Sequence, residues 1–265
     1  MSAIVQPFAD LFRYRELIAL LVGRDLKVRY KRSILGMAWT LLNPILQTAV
    51  YTLVFSKIMK IGVPAFPVFL LAGLLPWTLL SVSCTASAHS LLNNQGLIRK
   101  VAAPQAVYPL SVVGSKLVDL VFSLIPLAAL AIIMGRAPTV AWVFLVPAVF
   151  MVFAFTVGLS LVFSSLMVFF RDIRHLIDIL FQVWFYLTPV IYPHEYLDQL
   201  KNPWIRRALE FNPAAPIIRC FQSPIYDGRF PDAATVSLGM ACAVAALAGG
   251  FWLFVSVQDR HIHHF

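Results

Sequence analysis

The sequence predicts an all-α integral membrane protein. It has six transmembrane helices, an N-terminal amphipathic interfacial helix, and two short re-entrant helices between spans five and six. Three observations predict this. First, 60% of the 265 residues are hydrophobic and only 12% are charged, where a soluble domain carries about 25% charged residues. Second, Arg24, Lys27, Arg29, Lys31 and Arg32 crowd into positions 24–32, and no further charge appears before Lys57. A basic segment abutting an apolar one is the pattern of a surface-lying helix leading into a span, with its basic side held in the cytoplasm. Third, charge-free runs recur at 33–56, 61–98, 120–135, 137–170, 179–194 and 233–258.

A span needs about 20 apolar residues. The runs therefore give spans at about 35–58, 67–90, 107–133, 142–169, 176–192 and 233–256. The third carries Lys116 and Asp119 inside it, one turn apart and able to pair with each other. This divides the chain into an arm at 1–32, a transmembrane domain at 33–258 and a tail at 259–265 that holds His261, His263 and His264. Six spans put both termini on one side. Residues 1–32 carry seven basic and three acidic residues, against five and four in 193–230, so the terminal side is cytoplasmic. The apolar run Leu17–Val22 is too short and too closely bracketed by charge to be a signal core.

Within the arm, Leu11, Tyr14, Ile18 and Leu21 recur at helical spacing, with Arg24, Lys27 and Lys31 as a charged stripe beyond them. That is a helix lying on the inner leaflet. The segment 193–230 holds Pro193, Pro203, Pro213, Pro216 and Pro224. Proline limits each apolar piece between them to two or three turns, too short to cross and too apolar for an ordinary loop. Two re-entrant helices that cap or line a pathway fit this pattern.

The net charge of +9 is explained by anionic lipid and the positive-inside bias, and nucleic acid is not a partner. Cys84, Cys220 and Cys242 lack metal-ligand spacing and read as small buried residues. No phosphate loop, HExxH, GxSxG or GxGxxG motif is present. The chain has a route and no engine, so uphill transport draws its energy from a partner. A secondary transporter with its own ion coupling and an intramembrane enzyme on polyprenyl lipids are the rival classes. The first predicts inverted repeats and the second a cluster of acid and base residues, and neither feature is visible.

Four stretches resemble a known family: RDLKVRYKRSILGMAWTLLNP at 24–44, NNQGLIRKVAAPQAVYPLS at 93–111, FFRDIRHLIDILFQVWFYLTPVIYP at 169–193 and EFNPAAPIIRCFQSPIYDGRFP at 210–231. They resemble the permease subunits of type-two ABC exporters for O-antigen and teichoic-acid polymers (the Wzm/TagG group). Ala102-Ala103 departs from the bulky apolar residue usual before Pro104. The resemblance implies a homodimer in the bacterial inner membrane, joined to two copies of a nucleotide-hydrolysing subunit. That subunit holds ATP and Mg, and this chain binds no cofactor and is no enzyme. The implied cargo is polysaccharide on a polyprenyl pyrophosphate lipid. Permeases for capsule polymer, small lipids or drugs share the fold.

On that footing the sequence nominates four sets of residues. Asn94, Leu97, Ile98, Arg99 and Lys100, with Arg171 and Asp172 as a second contact, would receive the motion of the ATPase, with Asn93 or Asn94 capping a short helix. Arg24, Lys27, Arg29, Lys31 and Arg32 are placed for the lipid pyrophosphate, and plain topogenic charge explains them equally well. Sugar rings stack on aromatics while their hydroxyls need hydrogen bonds. Tyr51, Phe55, Phe181, Trp184, Phe185 and Tyr192 are therefore candidates for the polymer path, and ordinary packing fits the same spacing. Trp204 and Phe211 are candidates for an outer gate.

Overall fold

The structure is a computed structural model that describes residues 11–31, 36, 38–60, 62–101, 103–170, 172–193, 204, 207, 209 and 211–264. Regular structure among these residues is helical. Helix α1 is Arg15–Tyr30 and α2 is Ala38–Tyr51, which continues as a π-helical stretch Thr52–Ile58. Next come α3 (Phe66–Ala88), the short α4 (Ser90–Asn93) and α5 (Gln95–Ile98), and α6 (Val107–Ile133). A 3-10 turn Val140–Phe144 leads into α7 (Leu145–Phe169), followed by α8 (Ile173–Leu187). The last are α9 (Ala214–Gln222), which runs into a π-helical turn Ser223–Asp227, and α10 (Ala233–His264).

Among the described residues, five helices are long and apolar enough to cross a membrane: Ala38–Ser56, Phe66–Ala88, Val107–Ile133, Val140–Phe169 and Ala233–His261. Helix α3 is the centre of the bundle, with 78% of its apolar window buried against 11% for the Ala38–Ser56 helix. Pro67 starts α3, where a missing N–H costs nothing. α3 packs on α6, α7 and α9, while α10 lies along α7.

The α7–α10 contact depends on small residues. A Cβ on Gly158 would sit 2.2 Å from the carbonyl oxygen of Ala246, and one on Gly250 would sit 2.1 Å from that of Gly158. Backbones can approach this closely only where side chains are absent, which is how spans associate without a hydrophobic drive between them.

Three expectations change here. The fifth span, expected over 176–192, is the 15-residue helix Ile173–Leu187, about 22 Å long against about 30 Å of hydrocarbon. It stops because Thr188 precedes Pro189 and adopts extended backbone (ψ 136°), the conformation that a following proline imposes. The polar tail is helical through His264, and His261 is fully buried in it. The apolar stripe of α1 packs on protein: Leu11 and Leu21 are buried with Leu91, Val107, Tyr108 and Val113, while Tyr14 and Ile18 pack against that cluster. A Cβ on Gly114 of α6 would meet Val22 Cγ2 at 3.0 Å, so α1 lies close on that span.

Of the two pieces expected to be re-entrant, the second falls on α9, with eight of its nine residues buried. Half of the first piece, 204–211, lies outside the described residues. Trp204 and Phe211, the expected outer gate, are 76% and 83% exposed.

Candidate functional site

Arg29 on α1 reaches across to α6. Its Nη1 pairs with Oδ2 of Asp119, and its Nη2 lies 3.3 Å from the Ser115 hydroxyl oxygen. Lys116 Nζ sits 3.4 Å from the same Asp119 oxygen. The expected Lys116–Asp119 pair is therefore part of a triad in which one carboxylate serves two cations. Charges at this depth of a 27-residue apolar helix persist when paired.

The triad borders a cavity of about 400 Å³ between α1, α2, α3 and α6, whose wall includes Asn43, Gln47, Thr78 and Trp39. That size falls in the about 300–1,000 Å³ range of small-molecule sites. Ser123 Oγ donates to the Thr40 carbonyl at 3.3 Å and ties α6 to α2 beside it.

A second groove of about 320 Å³ adjoins the first, sharing Gln47, Thr78 and Val82 with it. Tyr51, Trp77, Gln182 and Tyr186 also form its wall. It mixes π-faces with amide and hydroxyl groups. The aromatics behind it form one cluster: Tyr51 lies 6.0 Å from Phe185 and 6.2 Å from Phe55, and Trp77 lies 5.6 Å from Phe185 and 5.8 Å from Trp184. Phe181 stacks on Trp184 at 5.8 Å. The structure thus gathers five of the six aromatics the sequence nominated. It divides their roles, with Tyr51, Phe181 and Phe185 on the groove and Phe55 and Trp184 packed behind it. Tyr192 stands apart, its hydroxyl donating to the Tyr186 carbonyl at 3.1 Å.

Asn212 organises the junction of α8 and α9. It accepts from Trp184 Nε1 (2.8 Å) and from the backbone N–H of Ala214 (3.0 Å), and donates to the Leu187 carbonyl (3.0 Å) and Thr188 Oγ1 (2.8 Å). All four bonding positions of its amide are used.

At the basic end, Arg24 pairs with Asp25 at 3.0 Å and donates to Asn94 Oδ1 at 3.3 Å. The Asn94 side chain donates back to the Ser90 carbonyl at 2.8 Å and gives α5 no cap, so the expected capping role is reversed. Leu97 and Ile98 pack against the α1 cluster, leaving Arg99, Lys100 and Asp172 on the surface. Lys27 and Lys31 are exposed. Arg32 and Arg171 lie outside the described residues. His261 Nδ1 lies 2.9 Å from Gln105 Oε1, and Gln105 Nε2 donates to the Gln258 carbonyl at 3.3 Å, so α10 is tied to the segment that enters α6.

At the far end, the Arg136 guanidinium stacks 4.5 Å over the Tyr226 ring, and the Tyr226 hydroxyl donates to the Pro64 carbonyl at 2.7 Å. Arg219 pairs with Asp227 at 3.0 Å. Residues that the sequence reading missed are Gln47, Trp77, Gln182 and Asn212. The amides among them carried a signal, since uncharged polar groups inside or beside apolar runs need partners.

Membrane-length helices around adjoining charged and aromatic grooves define a multi-pass helical membrane transporter. The chain belongs to the ABC-2 type transporter family, whose model matches residues 16–226. It is 36% identical over 97% of its length to an O-antigen export system permease protein RfbA of Myxococcus xanthus, covering 98% of that protein. A protein of the same name from Klebsiella pneumoniae is 32% identical over 80% of this chain and 81% of its own length. The polysialic acid transport protein KpsM of Escherichia coli is 34% identical over a shorter stretch, 28% of this chain and 30% of that protein.

Proposed function

We propose that this chain is the channel-forming permease subunit of an ATP-driven exporter. It carries O-antigen-type polysaccharide on a polyprenyl pyrophosphate lipid from the cytoplasm across the bacterial inner membrane. Two copies form the channel, with both termini cytoplasmic and α8, completed by the non-helical residues 188–192, serving as the fifth of six spans. Two copies of a separate ATPase, which hold ATP and Mg, supply the energy. The observation that carries this reading is the adjoining pair of cavities. A cation-bearing pocket shares Gln47, Thr78 and Val82 with an aromatic and amide groove, which suits an anionic head group followed by sugars. The full-length likeness to permeases named for O-antigen export narrows the cargo.

In this reading Tyr51, Phe181, Phe185 and the added Trp77, Gln47 and Gln182 wall the polymer path, with Phe55, Trp184 and Tyr192 supporting it. The α4–α5 knob (Asn94, Leu97, Ile98, Arg99, Lys100), helped by Arg171 and Asp172, receives the ATPase stroke, and α1 transmits it to α6. Arg24, Lys27, Arg29, Lys31 and Arg32 attract the pyrophosphate. Trp204 and Phe211 form the outer gate.

The test is a mild-detergent pull-down from the native membrane followed by mass spectrometry. The expected result is a stoichiometric P-loop ATPase; a clean homo-oligomer, from a preparation that keeps other membrane complexes intact, would remove the engine. A capsule-polymer cargo is the second reading, favoured by the match to the polysialic acid transporter over 76 residues. Analysis of which surface polymer disappears with the chain separates the two.

A further inference from the structure

We propose that the cavity between α1, α2, α3 and α6 is a diphosphate-binding pocket in which Asp119 holds the ligand's place. Arg29 and Lys116 are its binding cations, and Asp119 is the internal anion that a diphosphate displaces. This rests on the export reading and adds to it a residue, Lys116, that lies outside the basic stretch.

Three observations carry it. One Asp119 oxygen takes both Arg29 and Lys116, so among the described residues two cations share one carboxylate oxygen. The three groups are partly exposed, with side chains 31%, 19% and 20% exposed for Arg29, Lys116 and Asp119, and all three line the cavity. The wall adds the amides of Asn43 and Gln47, neutral donors of the kind a phosphate oxygen accepts from.

A carboxylate can satisfy two cations only through one pair of oxygens. A diphosphate offers more charge and more acceptors, and it draws the same charge-assisted bonds from Arg, Lys and neutral donors. While Asp119 occupies the cations, Arg29 pins the end of α1 to α6. When a diphosphate takes them, that pin is released, and α1 is the element that also reaches the knob through Arg24, which donates to Asn94 Oδ1 at 3.3 Å. Ligand arrival and the knob below it are thereby linked through one ion pair.

The experiment is calorimetric titration of the full-length chain in lipid nanodiscs with inorganic pyrophosphate and, separately, farnesyl pyrophosphate, for wild type, Asp119→Asn, Lys116→Met and Arg29→Gln. The expected result is about tenfold tighter binding by Asp119→Asn and about tenfold weaker binding by Lys116→Met and by Arg29→Gln, the scale of one charge-assisted hydrogen bond. Tighter binding of the prenylated anion assigns the site to a lipid head group, and equal binding assigns it to a free anion. Unchanged affinity in Lys116→Met overturns the proposal, as does weaker binding by a folded Asp119→Asn. If Asp119→Asn does not fold, Lys116→Met, which keeps the Arg29–Asp119 pair, decides alone. Failure here leaves ATPase co-purification intact, so the export reading and the pocket fail separately.

Discussion

The indole N–H of Trp184 donates to Oδ1 of Asn212 at 2.8 Å, and this bond joins the aromatic wall to the turn that ends α8. Trp184 lies in α8, and Asn212 sits just before α9. The same amide donates to the Thr188 hydroxyl and to the Leu187 carbonyl, beside the break before Pro189. One buried side chain therefore ties the end of α8 to the start of α9 and fixes how the indole is turned.

Replacing that amide exposes its role. Asn212 is 5% exposed, and removing it takes the side-chain partner from Trp184 Nε1, the Ala214 N–H and the Leu187 carbonyl. Asn212→Ala is expected to destabilise the fold by about 3 kcal/mol, since each buried orphan costs about 1–3 kcal/mol. Thermal unfolding of the purified protein measures this. Asn212→Asp, which keeps the acceptors and loses the donors, is expected to unfold at an intermediate temperature.

The α7–α10 crossing predicts a sharp contrast between neighbouring glycines. Gly250→Ala forces a Cβ into the Gly158 carbonyl, whereas nothing lies within 4 Å of a Cβ on Gly249. Gly250→Ala should cost about 3 kcal/mol or more through overpacking, and Gly249→Ala should be neutral. The yield of monodisperse protein in size-exclusion chromatography reads the difference.

Asp232 precedes α10 and accepts from the Thr235 backbone N–H at 2.9 Å and from its hydroxyl at 2.7 Å. These bonds from Thr235 hold its carboxyl below the usual carboxylate range. A carboxyl whose folded pKa is depressed contributes above its unfolded pKa, and the contribution fades as pH falls through the folded value. Asp232→Ala is expected to cost about 1 kcal/mol at neutral pH, as an N-cap does, and progressively less below about pH 4. Unfolding midpoints across pH check it, with Asp232→Asn retaining most of the cap.

Two aromatics of the same groove wall differ in how much of the fold rests on them. Tyr186 is 56% exposed and Trp77 only 5%. Tyr186→Ala should leave folding intact and lower surface polymer several-fold. Trp77→Ala should cost about 3–5 kcal/mol and lower the amount of folded protein. Immunoblots of membrane fractions beside polymer staining distinguish the two outcomes.

Much of this fold is legible in the sequence because apolar runs long enough to span have few alternatives. The stretch expected at 107–133 is helix Val107–Ile133, and that expected at 67–90 is Phe66–Ala88. What sequence hides is which neighbour a polar group finds. Arg29 and Asp119 are 90 positions apart, so local spacing points to Lys116 alone. Leu11 and Leu21 show the right periodicity, but period cannot say whether an apolar stripe faces lipid or another helix, and here it meets Leu91 and Val113. The end of α8 was readable in principle, since Thr188 precedes a proline, yet the apolar run through Ile191 outweighed it. The aromatic spacing on α8 pointed to a shared face, while its partner Trp77, on a different span, left no local trace.

The most direct test of the central claim is to delete this chain from a cell that displays the polysaccharide and to measure polymer on both sides of the inner membrane. The account predicts that surface polymer disappears while lipid-linked polymer accumulates on the cytoplasmic face, and that the intact chain restores export. Normal surface polymer in the deletion strain would contradict it.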